Sequence, residues 1–352
     1  MITHIIKKMK KINYTIACIA LISFSQNLRS QTNSSYKLDQ KIKVEGEGGW
    51  DYLISDDSTN RLFISHGMVV NVVNETTGEL IGTIPDTKGV HGIALAKDLN
   101  KGFISNGRDT SVTIFDLTTL ATITKIKVTG KNPDAILYDP FSQKVFVYNG
   151  RTSNSTVIDG KTNTVIGTIE LPGKPEFSVT DGKGKVYVNI EDKGKVCMIN
   201  STTLKVEQIW SIGKGNEPSG LALDNKNHRL FSVCDKLMVI LDAGTGKIIA
   251  KLPIGENVDG AAFDPEKERA YSSNGDGTLT VIQGTNGGNY KVLENVITQK
   301  GARTITINKK THHVYLPTAE FGETPAATND NPRPRPSLKP GSFVVLDIEP
   351  VK

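Results

Sequence analysis

A unit of about 42 residues recurs along most of the chain, and no other property restricts its fold so strongly. The clearest copy, Gly130–Leu171, reads GKNPDAILYDPFSQKVFVYNGRTSNSTVIDGKTNTVIGTIEL. Four runs rich in β-branched and aromatic residues lie in it: Asp134–Tyr138, Lys144–Asn149, Ser155–Asp159 and Thr164–Leu171. Turn-forming pairs, Asp139-Pro140, Asn149-Gly150 and Asp159-Gly160, separate them. Each unit is therefore expected to be a four-stranded antiparallel meander.

The copies keep register. An aromatic residue recurs in the second strand as Phe63, Phe103, Phe146, Tyr187, Phe231, Tyr271 and Tyr315. The fourth strand occurs six times, from Leu80–Ile84 to Tyr290–Val296, and is missing after Asp347. Tyr36–Val44 precedes the first unit without a sheet of its own, and pairing it with Phe343–Ile348 leaves no open edge. The expected fold is all-β: a single seven-bladed β-propeller over residues 31–352, its blades starting near residues 49, 89, 132, 174, 217, 257 and 301. The ring is closed by the strand at about 36–44 pairing in the last blade. A Pro-rich insertion, 320–341, interrupts that blade.

Residues 1–30 are expected to be a signal peptide. Lys7, Lys8, Lys10 and Lys11 precede the apolar run Ile12–Phe24, which is short for a transmembrane span. Lipid attachment at Cys18 is the alternative; the apolar run continuing past it and Thr15 before it argue against that. The expected location is periplasmic or extracellular. The formal charge of +5 arises in this segment, which holds five of the 42 Lys and Arg and none of the acids, leaving 37 against 37 Asp and Glu. Nucleic acid is accordingly not an expected partner. Hydrophobic residues at 37% and charged residues at 22% fit a globular protein with no transmembrane span in its mature part. Cys197 and Cys234 are too few for a disulfide framework.

The pattern V-x-V-I-D, a short turn, V-x-x-T-I, then Y-V-x-N, seen at Phe146-Val147-Tyr148-Asn149 and Tyr187-Val188-Asn189, resembles the YVTN-repeat β-propellers (YncE-like proteins) over about residues 36–350. The resemblance implies an extracytoplasmic seven-bladed propeller. It implies no common reaction or ligand.

A propeller gathers its innermost strands around a channel, so the residue opening each of these strands is the informative one. In register these are Asp51, His91, Asp134, Glu176, Ser219, Asp259 and Arg303, all polar, and they are expected to form a collar at one mouth. A second circle is expected at the ends of the second strands: His66, Asn106, Asn149, Cys234 and Asn274, with Ile190 and Thr318 in the other two blades and Glu320 just beyond. Crowded carboxylates must be protonated, paired or balanced by a cation, which suits a polar or cationic small molecule, a peptide or a protein partner. A divalent cation is the candidate cofactor, with His66, His91, Asp51 and Asp134 as mixed nitrogen and oxygen ligands. Arg333 and Arg335 in the insertion lie within reach of the mouth if the loop folds over it. His228, His312 and His313 fall in turns of the opposite face.

No nucleophile elbow, P-loop, HExxH or CxxCH is present. A binding or scaffolding module is therefore the leading expectation. The alternative is a metal-dependent hydrolase or lyase, or a subunit like those of quinoprotein dehydrogenases, with His91 and Asp134 as acid and base and Arg303 as anion clamp. Cys234 as a nucleophile, with His66 or His91 as base, is the least supported chemistry.

Overall fold

The computed structural model describes residues 34–351 except 214–216, 286–287, 329–331, 333 and 335. The expected signal segment and both Arg333 and Arg335 lie outside the described residues. The described chain forms seven four-stranded antiparallel sheets arranged as a β-propeller. Blades 1 to 6 occupy residues 50–84, 90–127, 133–170, 175–211, 221–253 and 258–297, each running from the innermost to the outermost strand in chain order.

Blade 7 breaks that order in the expected way. From the inside outward it holds Thr306–Ile307, Val314–Thr318, Val344–Pro350 and then Tyr36–Lys43. The early strand runs antiparallel to the late one, from Tyr36 opposite Pro350 to Lys43 opposite Val344. Tyr36 is buried, lies edge-on to Tyr271 of blade 6 at 5.8 Å, and its hydroxyl bonds both Tyr271 Oη (2.7 Å) and Arg269 Nη1 (2.8 Å). The seam is thus fastened to two blades at once.

The repeated Asp and Asn residues make the corners. Between third and fourth strands, Asn74, Asp116, Asp159, Asn200 and Asp242 each accept two backbone N–H bonds from the residues two and three positions on. These are Asx turns, in which the side chain replaces a backbone acceptor. The recurring aromatics are buried between blades, and the apolar core is divided into seven clusters. Each blade is held by its neighbours, and the centre of the ring is left for the channel.

Candidate functional site at the channel mouth

The collar residues sit where the innermost strands bulge. In blade 1, Trp50 pairs with His66 and Leu53 with Ile64, so Asp51 and Tyr52 together face Ser65. The same shift places His91 with Gly92, Asp134 with Ala135, and Glu176 with Phe177 opposite one residue each, and Asp259 is the extra residue of blade 6. A bulge turns a side chain out of strict alternation, which aims these groups at the mouth. Ser219 and Arg303 lie just before their strands. Neighbouring hydroxyls pin the bulged backbone. Ser65 Oγ accepts from Asp51 N (2.9 Å), Thr304 Oγ1 donates to the Asp51 carbonyl (2.7 Å), and Ser105 and Ser273 donate to the carbonyls of Asp134 and Arg303.

The collar acids are largely partnered from within. His91 Nδ1 lies 2.6 Å from Asp51 Oδ2 and 3.7 Å from Asp134 Oδ1. Lys174 Nζ bridges Glu176 Oε1 (2.6 Å) and Glu191, and Arg303 Nη1 lies 3.2 Å from Asp259 Oδ2. Burial works against the charged form of His91, but the Asp51 hydrogen bond and the surrounding carboxylates overcome it and raise its pKa to about 8. Burial, only partly offset by His91, raises Asp134 to about 6. Burial and the Asp134 charge raise Glu176 to about 8 against the pull of Lys174, and burial raises Asp259 to about 6 against the pull of Arg303. The collar therefore holds protons near neutral pH.

Outside the collar, the mouth opens into a cavity of about 1060 Å³ bounded by blades 1 to 3 and Arg303. On the inner side of the collar, Tyr52 reaches across the channel to Phe177, with ring centroids 5.4 Å apart. Burial and the negative collar push the Tyr52 phenol well above its usual range. Beyond this pair runs a shaft of about 460 Å³ lined by apolar residues such as Ile54, Leu137, Val179 and Leu223.

The second expected circle does not form at the mouth. His66, Asn106, Asn149, Ile190, Cys234, Asn274 and Thr318 are buried within the blades. Asn149 Nδ2 donates to Asn154 Oδ1 (2.9 Å) and Thr156 Oγ1 (3.0 Å). Asn106 and Asn274 make the equivalent bonds to Ser111 and Thr113 and to Thr278 and Thr280. These amides brace the turn between second and third strands. Cys234 is buried with its thiol pushed up to about 11, unsuited to nucleophilic attack. Glu320 is exposed and pairs with Lys339 (3.0 Å) at the base of the insertion. That base is closed by a bridge between Phe321 and Leu338, with Phe321 6.3 Å from Trp50.

The expected cation ligands divide accordingly. Ligand atoms of Asp51, His91 and Asp134 lie within 4.8 Å of one another. His66 lies elsewhere, its ring 4.3 Å from Phe343 and its pKa lowered by burial. On the opposite face His312 and His313 bond Asp264 (2.7 Å) and Asp347 (2.7 Å), joining neighbouring strands and blades. Lys174 and Tyr52 were not singled out by the sequence. Each lies within two residues of a collar position, which is the signal that locates them.

No protein-family model matches this chain, nor does any curated protein sequence. Among solved structures it is similar to a chain of the hydrazine synthase of Kuenenia stuttgartiensis, with a TM-score of 0.66 and 16% identity over 82% of this chain and 95% of that one. The likeness is one of fold. Among the described residues no helix is long and apolar enough to cross a membrane.

Proposed function

We propose that this protein is an exported propeller of the YVTN type that serves as a binding module, with the collared channel mouth as its ligand site. The observation that carries the reading is the Asp51–His91–Asp134 constellation, held on pinned bulges, with Asp51 and His91 lining a cavity large enough for a small molecule and Asp134 behind them. Hydrogen-bonding groups gathered in a half-buried concavity, with pKa values shifted by their surroundings, are the pattern expected of a site. The reading is tested by screening polar small molecules for thermal stabilisation, then repeating the hits with His91→Ala and Asp134→Asn. Hits should lose about tenfold or more in affinity in both variants. Hits that bind both variants as tightly as the parent would place the site elsewhere.

A second reading is favoured by one observation: Asp51, His91 and Asp134 offer one nitrogen and two oxygens in a compact set. On that reading a divalent cation is resident and the protein is an enzyme using it. Protein purified without chelators should then carry close to one equivalent of metal. Less than about a tenth of an equivalent, unchanged in His91→Ala, would remove this reading.

A further inference from the structure

The open part of the mouth carries an excess of positive charge. The collar carboxylates have cationic partners in His91, Lys174 and Arg303. The cavity outside them is lined by Arg108, Lys131, Arg151 and Arg303 against Glu47 and Asp51. Arg108, Lys131 and Arg151 make no ion pair among the described residues. Three unpaired cations held around one cavity repel one another and favour an anion between them.

Their placement follows from the repeat. Arg108 and Arg151 follow the second strands of blades 2 and 3 in equivalent triplets, Asn106-Gly107-Arg108 and Asn149-Gly150-Arg151. The corresponding triplets elsewhere end in Met68, Asp192, Lys236, Asp276 and Glu320, and Lys236 is paired with Glu256 at 3.0 Å. At this turn position only these two adjacent blades present arginine. Both turns are tied to the preceding innermost strand, Gly107 N to the Gly89 carbonyl (2.8 Å) and Gly150 N to that of Asn132 (3.0 Å). Arg151 N bonds the Lys131 carbonyl (3.2 Å), which sets the third cation beside the second. Glycine is required at Gly89, whose φ is +66° and where a Cβ would lie 2.5 Å from Arg108 Cγ; a Cβ on Gly107 would lie 2.6 Å from His91 Nε2.

We propose that the lip formed by Arg108, Lys131 and Arg151 binds the carboxylate or phosphate groups of a small polyanionic molecule. The guanidinium groups would engage the oxyanions bidentately, with Lys131 as a point charge. This rests on the mouth being the ligand site and gives the sign of the ligand's charge. The lip accounts for a feature the collar leaves unexplained: arginine at this turn position in two successive blades and in none of the other five.

Titration calorimetry at low and at moderate salt, with citrate, inorganic phosphate and spermidine as probes, tests it. Citrate or phosphate should bind saturably to the wild type and weaken as salt rises. The Arg108→Ala/Arg151→Ala double variant should lose about tenfold or more in affinity. The Arg108→Lys/Arg151→Lys variant keeps the charge and, if correctly folded, should recover part of the loss. Binding of citrate alone would identify a carboxylate ligand, and of phosphate alone a phosphorylated one. Spermidine binding that His91→Ala abolishes, with neither anion bound, would overturn the lip while leaving the mouth as a site. Anion binding untouched by the double variant, or no binding of either anion, would also overturn it.

Discussion

Tyr52 of blade 1 and Phe177 of blade 4 meet across the channel axis with their ring centroids 5.4 Å apart, dividing a polar mouth from an apolar shaft. Both follow a collar residue in the bulged part of an innermost strand. The same backbone irregularity that aims Asp51 and Glu176 at the mouth therefore sends the next side chain across the channel.

Tyr52→Ala is expected to lower stability by about 1–3 kcal/mol, because it removes a half-buried aromatic contact and joins the two spaces. Tyr52→Phe should cost less than about 1 kcal/mol, since the packing lies in the ring. Urea denaturation midpoints decide this, and equal losses in the two variants would contradict it.

The braced turns give a second expectation. Asn149→Ala removes two donors and leaves Asn154 Oδ1 and Thr156 Oγ1 short of a partner in the interior. It should cost about 1–3 kcal/mol in unfolding free energy. Affinity for any mouth ligand should stay within about twofold, because the amide is shielded from the channel. A selective loss of binding without destabilisation would restore this residue to the site.

The fold was legible in the sequence because every blade repeats the same chemistry: a buried aromatic, an Asx corner and a turn at fixed offsets. The seam was legible for the converse reason, since Tyr36–Val44 had no partner nearer than the last blade. The collar could be aligned because Pro133 and Pro175 mark its position. Depth was not legible. Asn149 and Asp134 lie at the same end of adjacent strands, and only the bulge, which shifts one strand's alternation and not the other's, puts one at the mouth and the other in the core. Pairing was hidden as well. Lys174 bridges Glu176 and Glu191 from a loop, and burial keeps a proton on Glu176, so a count of carboxylates overstated the negative charge of the face.

His91 provides a direct electrostatic check. Its imidazole should titrate near pH 8 in an NMR pH series. In Asp51→Asn the value should fall by about one unit or more, because the strongest hydrogen bond to the imidazolium is lost. A value near 6.5 in the parent protein would show that the Asp51 contact does not form in solution.

Stability should fall as pH rises through neutrality. Glu176 has a folded pKa of about 8 against an ordinary value of 4.5, so the folded state holds a proton that the unfolded chain releases, and stability declines across that window. His91, raised from 6.5 to about 8, contributes stability that is complete below 6.5 and lost by about 8. The signs agree. Melting temperatures should drop between pH 5 and pH 8, and Glu176→Gln should flatten the slope of stability against pH by on the order of 1 kcal/mol per pH unit. A slope of opposite sign would contradict the collar electrostatics.

Tyr36→Ala should be among the most damaging single changes, at about 3–5 kcal/mol, because it empties a fully buried site and leaves Arg269 and Tyr271 without the shared hydroxyl. Its measure is the denaturation midpoint, alongside hydrogen exchange of Val344–Pro350, which should accelerate before that of the other blades.

The seam also sets the order of events during folding. Tyr36 and Pro350 are paired although nearly the whole described chain lies between them, and closing so long a loop costs about 5 kcal/mol in chain entropy. Six blades can form from local contacts while the seventh waits for its outermost strand. During that wait Val344–Pro350 offers an unsatisfied edge, which the equivalent early strand of a neighbouring molecule fits as well as the chain's own. Protein concentration while the ring is still open therefore governs whether it closes on itself or exchanges strands with another copy.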